Sequence, residues 1–256
     1  MQSDRSLRDR YLDVRRRIDA AAERSGRRGD EVVLVAVTKS AAIEQIRELI
    51  GFGQIDLAEN RVQQLLQRAA QIEDYLDRRR ELGGAAGRLP EGVRWHMIGS
   101  VQRNKVKKVI EVVRLVHSVD SLRLAEEINA AAMRRDDPVE VLLQVNIADE
   151  SRKHGIAAPA ARHLVDQMDT MVNLQVRGLM CMAPAVEDPE TVRPVFSRAR
   201  ELFDDLRREG VGGDRFDVLS MGMSHDYEVA IECGANVVRV GSAIFGPSEA
   251  TPEQGG

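Results

Sequence analysis

Short apolar runs alternate with helical patterns along most of the chain, and this alternation restricts the fold more than any other feature. Eight runs have the apolar, often β-branched composition of buried strands; they span residues 32–39, 55–57, 95–98, 115–119, 139–147, 174–182, 216–221 and 236–240. Helical patterns lie at 7–18, 43–50, 62–82, 106–113, 122–133, 160–171, 192–206 and 227–233. Eight strands that alternate with helices in about 250 residues are typical of a TIM barrel. We therefore predict an α/β fold, a single TIM (β/α)8 barrel.

An open, doubly wound sheet is the competing layout. Sheets of that kind usually carry a glycine-rich phosphate loop after the first strand, whereas this chain has Thr38-Lys39-Ser40 there. We therefore favour the barrel. Since no linker-like or low-complexity stretch divides the chain, we predict one domain over residues 1–246 and a short tail at 247–256.

Composition and charge exclude several classes of protein. The 256 residues carry a formal net charge of -4, whereas proteins that bind nucleic acid non-specifically are usually basic. The basic run at 103–108 alternates with apolar residues, as one solvent-exposed face of a helix does. No segment resembles a signal peptide or a bilayer span, and the two cysteines match no metal or redox spacing. We expect a cytoplasmic protein with no nucleic-acid partner, no membrane partner and no bound metal.

The first strand candidate ends in a lone lysine, Lys39, which is the only lysine before Lys105. A residue at the carboxyl end of a barrel strand lies where such folds place their sites. A partly desolvated lysine can lose its proton and attack a carbonyl, which arginine cannot do in a protein. Lys39 is therefore a candidate Schiff-base lysine; a surface lysine at a strand end is the ordinary alternative.

The loops after the seventh and eighth runs carry serine and glycine. Ser220, Met221 and Ser224 surround a glycine in the first loop, and Gly241 and Ser242 form the second. TIM barrels often bind a phosphate at these two loops, because glycine lets the phosphate approach backbone N–H groups and serine adds a donor. Taken alone, a serine-glycine turn before a helix is more often a helix cap.

Arg239 lies inside the eighth run and offers a cation within the predicted strand. Taken alone, an arginine there is an ordinary ion-pair partner. Combined with the other signals it completes a set: Lys39 suits an aldehyde, the two loops suit a phosphate, and Arg239 suits a ring. Pyridoxal 5′-phosphate (PLP) has all three groups. We therefore predict PLP as the cofactor.

Five motifs resemble, in order, those of one known family. They are Val35 to Lys39, Glu59 to Gln63, Trp95 to Gly99 with Gln102 to Lys105, Ser220 to Ser224, and Val238 to Gly241. From about residue 6 to Gly246 the chain is similar to the pyridoxal phosphate homeostasis protein family. This resemblance implies a fold-type III PLP barrel like the N-terminal domain of alanine racemase, without that enzyme's C-terminal β-domain. It also implies that Lys39 holds PLP as a Schiff base.

The resemblance extends to further polar positions. Asn60 is carried over as a polar contact at the cofactor ring; its alternative is a helix N-cap before Val62. The family usually has glycine where this chain has Ala58. His96 and Asn104 are expected to line the barrel mouth, and a hydrogen-bonded structural role is the alternative for His96.

The function implied by the resemblance is binding and delivery of PLP in vitamin B6 homeostasis, with no catalytic residue assigned. Racemases of this type take a second acid/base, a tyrosine, from their C-terminal β-domain, and this chain ends shortly after the eighth strand. A guanidinium that faces the pyridine nitrogen also keeps it unprotonated, which weakens the ring as an electron sink. We expect a non-enzymatic protein with apo PLP-dependent enzymes as recipients, and a monomer or weak dimer.

Two enzymatic alternatives stay open at this point. One is a PLP-dependent racemase or lyase that acts on small amino acids. The other is a phosphosugar-metabolising barrel in which Lys39 forms an aldolase-type Schiff base. That barrel needs an acid/base group at a strand end, where the first half of the chain offers only Glu59, and it leaves Arg239 without a role.

Overall fold

Parallel strands form a closed barrel in the computed structural model, which describes residues 5–82, 90–148 and 155–246. The barrel strands are β1 (Val33–Val37), β2 (Asp56–Glu59), β3 (Arg94–Met97), β4 (Val113–Val119), β5 (Val139–Asn146), β7 (Leu174–Met180), β8 (Val218–Ser220) and β9 (Val237–Val240). A two-residue strand, β6 (Ile156–Ala157), pairs with the end of β5. Pairing of β4 with β5 and of β1 with β9 closes the ring. The predicted TIM barrel is confirmed, and each of the eight predicted runs overlaps one barrel strand.

Helices surround the barrel. They are α1 (Leu7–Arg24), α2 (Ile43–Gly51), α3 (Val62–Glu81), α4 (Val106–Ile110), α5 (Leu122–Ala131), α6 (Ala161–Asp169), α7 (Arg193–Arg208), α8 (Tyr227–Glu232) and α9 (Ser242–Phe245). Among the residues that the structure describes, none of these helices combines the length and apolar character that crossing a bilayer requires. The predicted tail at 247–256 lies outside the described residues.

Helix α1 precedes the barrel and packs on the helices that come last along the described chain. The Ser6 side chain caps it by accepting a hydrogen bond from the Asp9 N–H at 3.1 Å. Its apolar stripe, including Tyr11 and Ile18, is buried, and the helix packs on α8 and α9. Beyond it, Arg27 donates to the Ala235 carbonyl at 2.9 Å. The start and the end of the described chain are therefore held together outside the sheet.

The outer faces of the strands pack on the helices, and alternate residues fill the barrel. Two small apolar clusters are separate from the main core; they contain Val35, Val37, Ala58 and Val237 in one case and Leu115, Leu142 and Met180 in the other. Buried polar side chains accompany them, among them His96, His117, Ser220 and Arg239. A TIM barrel interior is usually filled by branched apolar residues, so these polar groups point to a site.

Candidate functional site

The predicted site residues lie at one end of four adjacent strands. Lys39 and Asn60 follow β1 and β2, Ser220 ends β8, and Gly241 follows β9. In the sheet these strands stand in the order β2-β1-β9-β8. Because parallel strands place their carboxyl ends at the same edge, the structure brings these residues to one side of the barrel mouth, the end where the carboxyl ends of the strands lie.

Arg239 and Lys39 lie at different depths. Arg239 is 3% exposed and pairs in register with Val35, whereas Lys39 is exposed and follows Val35 by four residues. Lys39 thus lies beyond the end of β1, in the turn that follows this strand. The guanidinium of Arg239 reaches the carboxyl ends of β7 and β8, because it contacts Ser220 Oγ and the Cys181 carbonyl. The site therefore has a buried guanidinium inside the barrel mouth and an exposed lysine in a turn at its rim.

Arg239 donates hydrogen bonds to two neutral oxygen atoms, a hydroxyl and a backbone carbonyl. Its Nη1 donates to Ser220 Oγ at 2.6 Å and its Nη2 to the Cys181 carbonyl at 3.0 Å. Burial lowers the pKa of Arg239, while Cys181 and Asp226 act in the opposite direction. No carboxylate of the described residues lies within ion-pair distance of this guanidinium. A buried cation in such surroundings suits an anionic or hydrogen-bond-accepting ligand.

Ser220 continues into a set of residues that we call the histidine chain, consisting of Ser220, His117, His96 and Asp56. Ser220 Oγ lies 3.0 Å from His117 Nδ1, and His117 Nε2 lies 2.9 Å from His96 Nδ1. His96 Nε2 lies 3.0 Å from Asp56 Oδ1, which also accepts from Arg94 at 2.8 Å. His96 is therefore buried and hydrogen-bonded, as in the structural alternative, and does not line the mouth. The sequence interpretation did not select His117, although it is a polar residue inside an apolar strand.

Hydrogen bonds join the two loops that were predicted to bind phosphate, which follow β8 and β9. Ser224 Oγ accepts hydrogen bonds from the backbone N–H groups of Gly241 at 3.0 Å and Ala243 at 3.4 Å. Because its oxygen is an acceptor in both bonds, its own proton stays available as a donor. Ser242 is exposed beside it. The hydroxyl groups of Ser224 and Ser242 thus lie at the mouth, between the last two strands.

The loop after β8 is shaped by a glycine and a carboxylate. Gly222 has a φ of +92°, and a Cβ there would lie 2.8 Å from the Tyr227 Cα. Asp226 accepts from the Met223 N–H at 2.6 Å, and burial raises the pKa of this carboxyl. The Met221 side chain is fully buried, and its N–H donates to the Val237 carbonyl at 3.2 Å. Met221 thus anchors the loop that carries Ser224.

An arginine from α3 fixes the turn that carries Lys39. Arg68 donates to the backbone carbonyls of Thr38 and Ala41, the latter at 2.8 Å, and forms an ion pair with Glu59. The Thr38 hydroxyl also donates to the Glu59 carboxylate. The backbone on both sides of Lys39 is therefore held while its side chain reaches solvent. Nothing in the sequence distinguishes Arg68 from the other arginines of α3.

Asn60 does not cap the following helix. Helix α3 begins at Val62, and Arg61 occupies the cap position without a side-chain hydrogen bond. The backbone of Gly99 lies against Asn60 so closely that a Cβ on Gly99 would stand 2.0 Å from the Asn60 carbonyl oxygen. The helix-cap alternative is thus not observed, and the half-buried Asn60 side chain lies beside the mouth.

Comparison with known proteins identifies the family. The profile described as "Alanine racemase, N-terminal domain" matches residues 13–249. The pyridoxal phosphate homeostasis protein of Aquifex aeolicus is 38% identical over 242 residues, covering 93% of this chain and 96% of its own length. The protein of the same name from Escherichia coli is 37% identical over 233 residues, covering 91% and 93%. The chain belongs to the pyridoxal phosphate homeostasis protein family.

Several solved structures share the barrel fold of this chain. The crystal structure of an unknown protein from Bifidobacterium adolescentis shares 37% identity and a TM-score of 0.82, covering 93% of this chain and 94% of its own. PipY from Synechococcus elongatus, solved with PLP bound, shares 29% identity and a TM-score of 0.77, covering 94% and 100%. Alanine racemase from Clostridium difficile shares 16% identity and a TM-score of 0.64, covering 96% and 56%. This last likeness, at 16% identity, shows a shared fold and nothing more.

Proposed function

We propose that this protein binds PLP and serves intracellular PLP, or vitamin B6, homeostasis, with the cofactor carried as a Schiff base on Lys39. One observation carries the proposal: the exposed Lys39 follows β1, and this strand pairs with β9, in which Arg239 is buried. The names of the relatives and the PLP in the PipY structure support it. When bound, PLP supplies an aldehyde and an electron-withdrawing ring.

Lys39 attacks the aldehyde carbon in this proposal. Its neutral amine forms a C=N bond and one water molecule leaves, so that the cofactor is attached without an oxidant or reductant. Arg68 holds the backbone beneath the amine.

The donors between the last two strands hold the phosphate. Ser224 and Ser242 offer hydroxyl protons, and Gly241 lets the phosphate approach the backbone. Met221 supports this loop from the core. At the other end of the cofactor, Arg239 with Ser220 meets the ring nitrogen and Asn60 meets a ring substituent. These seven residues and Lys39 together form the proposed cofactor-binding set of eight residues.

Delivery of PLP, and not turnover of a substrate, is the role we propose. Arg239 is a donor that does not release its proton, and a ring nitrogen that accepts from it stays unprotonated. Such a ring withdraws electrons weakly, which disfavours carbanion chemistry. Apo PLP-dependent enzymes are the proposed recipients. A racemase or lyase would instead exchange the α-proton of an amino acid for deuterium at an enzyme-like rate that depends on Lys39.

Absorbance and chemical trapping test the attachment. Purified protein mixed with PLP should show a visible absorbance band, and borohydride should reduce the C=N bond and leave a stable adduct on Lys39 in peptide mass spectrometry. Lys39→Ala should lose both signals. Lys107→Ala is the matched control, because Lys107 is exposed on α4. A wild-type protein that takes up no PLP, or an adduct found on Lys107, would refute the proposal.

Transfer to an apo enzyme tests the delivery role. The loaded protein is mixed with an apo PLP enzyme in the presence of a scavenger that traps free PLP. Recovery of enzyme activity under trapping is the expected result and supports direct delivery. Loss of recovery under trapping, with recovery in its absence, would reduce the role to storage and release.

A further inference from the structure

The histidine chain crosses the interior of the barrel. His117 lies on β4 and Ser220 on β8, which are not neighbours in the sheet, so the 3.0 Å contact between them spans the interior. At one end Ser220 accepts from Arg239, and at the other Asp56 accepts from Arg94. The proposed cofactor-binding set contains Ser220 and Arg239 but assigns no role to the other three members of the chain.

The carboxylate at the far end decides where the protons lie. Although burial acts in the opposite direction, hydrogen bonds from His96 and Arg94 lower the pKa of Asp56, so this carboxyl is ionised and can only accept. His96 must therefore carry a proton on Nε2, which faces Asp56 at 3.0 Å. When His96 is neutral, its Nδ1 is an acceptor. The Nε2–H of His117 then donates a hydrogen bond to it across 2.9 Å.

The same reasoning extends to Ser220. Burial first, and then the nearby Arg239 cation, lower the pKa of His117 well below its ordinary value, so His117 is neutral. With its proton on Nε2, its Nδ1 accepts the hydroxyl proton of Ser220. The Ser220 oxygen still accepts from Arg239. Every group is paired, and all donors point from the guanidinium toward the carboxylate.

The opposite tautomer of His117 would break this arrangement. Its Nδ1–H would donate to Ser220, whose oxygen would then accept two hydrogen bonds. The Ser220 proton would meet no acceptor among the described residues, and a buried hydroxyl without an acceptor is costly. One direction of the chain is therefore strongly preferred, and hydrogen bonds aligned in one direction strengthen each other.

We propose that Asp56, His96 and His117 are positioning residues that keep the hydroxyl proton of Ser220 in a hydrogen bond to His117. Arg239, and not Ser220, is then the donor presented to the ring nitrogen, and the nitrogen stays an acceptor. The direction of the chain is a property of the free protein, whereas its effect at the ring rests on the proposed function.

Histidine tautomers of the cofactor-free protein test the direction of the chain. Long-range proton–nitrogen spectra distinguish Nδ1-protonated, Nε2-protonated and cationic imidazoles, and single His→Gln variants assign the signals. We expect His96 and His117 to be neutral with the proton on Nε2. A proton on His117 Nδ1, or a cationic imidazole at either position at neutral pH, would overturn the proposal. The tautomers are read in the wild-type protein, and the His→Gln variants serve only to assign its signals.

The Asp56→Asn variant tests what sets that direction. The substitution replaces an obligate acceptor with an amide that can also donate, so we expect the single-tautomer signal of His117 to be lost. Asp217→Asn is the matched control, because Asp217 pairs with Arg177 just before β8 and makes no bond to the histidine chain. An unchanged His117 tautomer in Asp56→Asn would show that Asp56 does not set the direction.

The PLP-loaded protein tests the effect at the ring. We expect the absorbance maximum to shift in Asp56→Asn and to stay in place in Asp217→Asn. A maximum that does not move although the His117 tautomer has changed would overturn the positioning role. A protein that takes up no PLP would refute the proposed function instead, and the tautomers of the free protein would still decide the direction of the chain.

Discussion

The guanidinium of Arg68 forms a buried ion pair with the carboxylate of Glu59, and this pair holds the turn that carries Lys39. Glu59 is fully buried and its Oε2 has no hydrogen-bond partner among the described residues, while Arg68 is 15% exposed. The same guanidinium donates to the carbonyls of Thr38 and Ala41. The ion pair thus joins α3, the end of β2 and the turn after β1.

Arg68→Met should destabilise the protein strongly. Removing one partner of a buried pair leaves the other charge without compensation, which costs roughly 3–5 kcal/mol. We expect the free energy of unfolding in urea to fall by about this amount and PLP uptake to weaken, because the turn beneath Lys39 is released. Arg78→Met is the control, since Arg78 makes an exposed pair with Asp74 worth about 0.3–0.5 kcal/mol. Equal losses in the two variants would contradict the role of the pair.

Gly99→Ala should disturb Asn60. The added Cβ would stand 2.0 Å from the Asn60 carbonyl oxygen, so the backbone must shift. We expect a loss of about 1–3 kcal/mol in unfolding free energy, with weaker PLP binding as a second effect. Gly51→Ala is the matched control at the end of α2, where a Cβ meets nothing within 4 Å. If thermal unfolding shows both variants as stable as the wild type, the close approach is not needed.

The contribution of Asp56 to stability should depend on pH with a defined sign. Its folded-state pKa lies below the ordinary value of 3.8, so ionised Asp56 stabilises the fold above that value and stops doing so as pH falls through the folded pKa. The unfolding free energies of wild type and Asp56→Asn should therefore differ most near neutral pH and converge in acid. Chemical unfolding at a series of pH values measures the difference, and a gap that widens in acid would reverse the sign.

The two cysteines should differ in reactivity toward a thiol reagent. Burial raises the pKa of the Cys181 thiol to about 12, and the residue is 1% exposed, so it offers neither thiolate nor access. Cys233 is half-buried. In the folded protein at neutral pH we expect Cys233 to react first and Cys181 only after unfolding. Peptide mapping after brief labelling decides the order, and rapid labelling of Cys181 would contradict its burial.

Ser224→Ala should weaken PLP binding and leave pyridoxal binding nearly unchanged. Pyridoxal lacks the phosphate, and the Ser224 proton is proposed to serve the phosphate alone. Loss of one hydrogen bond to a charged group costs about 1.5–3 kcal/mol, or roughly tenfold to a hundredfold in Kd. Titration of both ligands by absorbance gives the comparison. An equal loss for the two ligands would place Ser224 away from the phosphate.

Sequence patterns predicted the strands well because the barrel buries both faces of each strand. The run around β1 is apolar without alternation, as expected between helices and a filled interior. Boundaries were less well predicted: the helical pattern at 106–113 ends at Ile110, because Val113 already belongs to β4. The helical pattern extends to Val113 because this residue is apolar, and the structure buries it as the first residue of β4.

Part of the candidate site was predictable, and part was not, for a physical reason. Lys39, Asn60, Ser220 and Gly241 follow strand ends, and parallel strands bring such ends together. The partnership of His117 with Ser220 joins residues 103 positions apart, across the interior of the closed barrel. No local pattern encodes such a contact. A histidine at the centre of the apolar β4 was the one usable signal.

Pairing of β1 with β9 has a consequence for synthesis in the cell. Lys39 follows the first strand, and Arg239 lies within the last, so the two residues come to the same side of the barrel only when these strands pair. A nascent chain emerging from the ribosome cannot assemble the proposed site until nearly all of the described residues have been translated. Fragments released early in translation therefore lack Arg239 and the two serine-glycine loops.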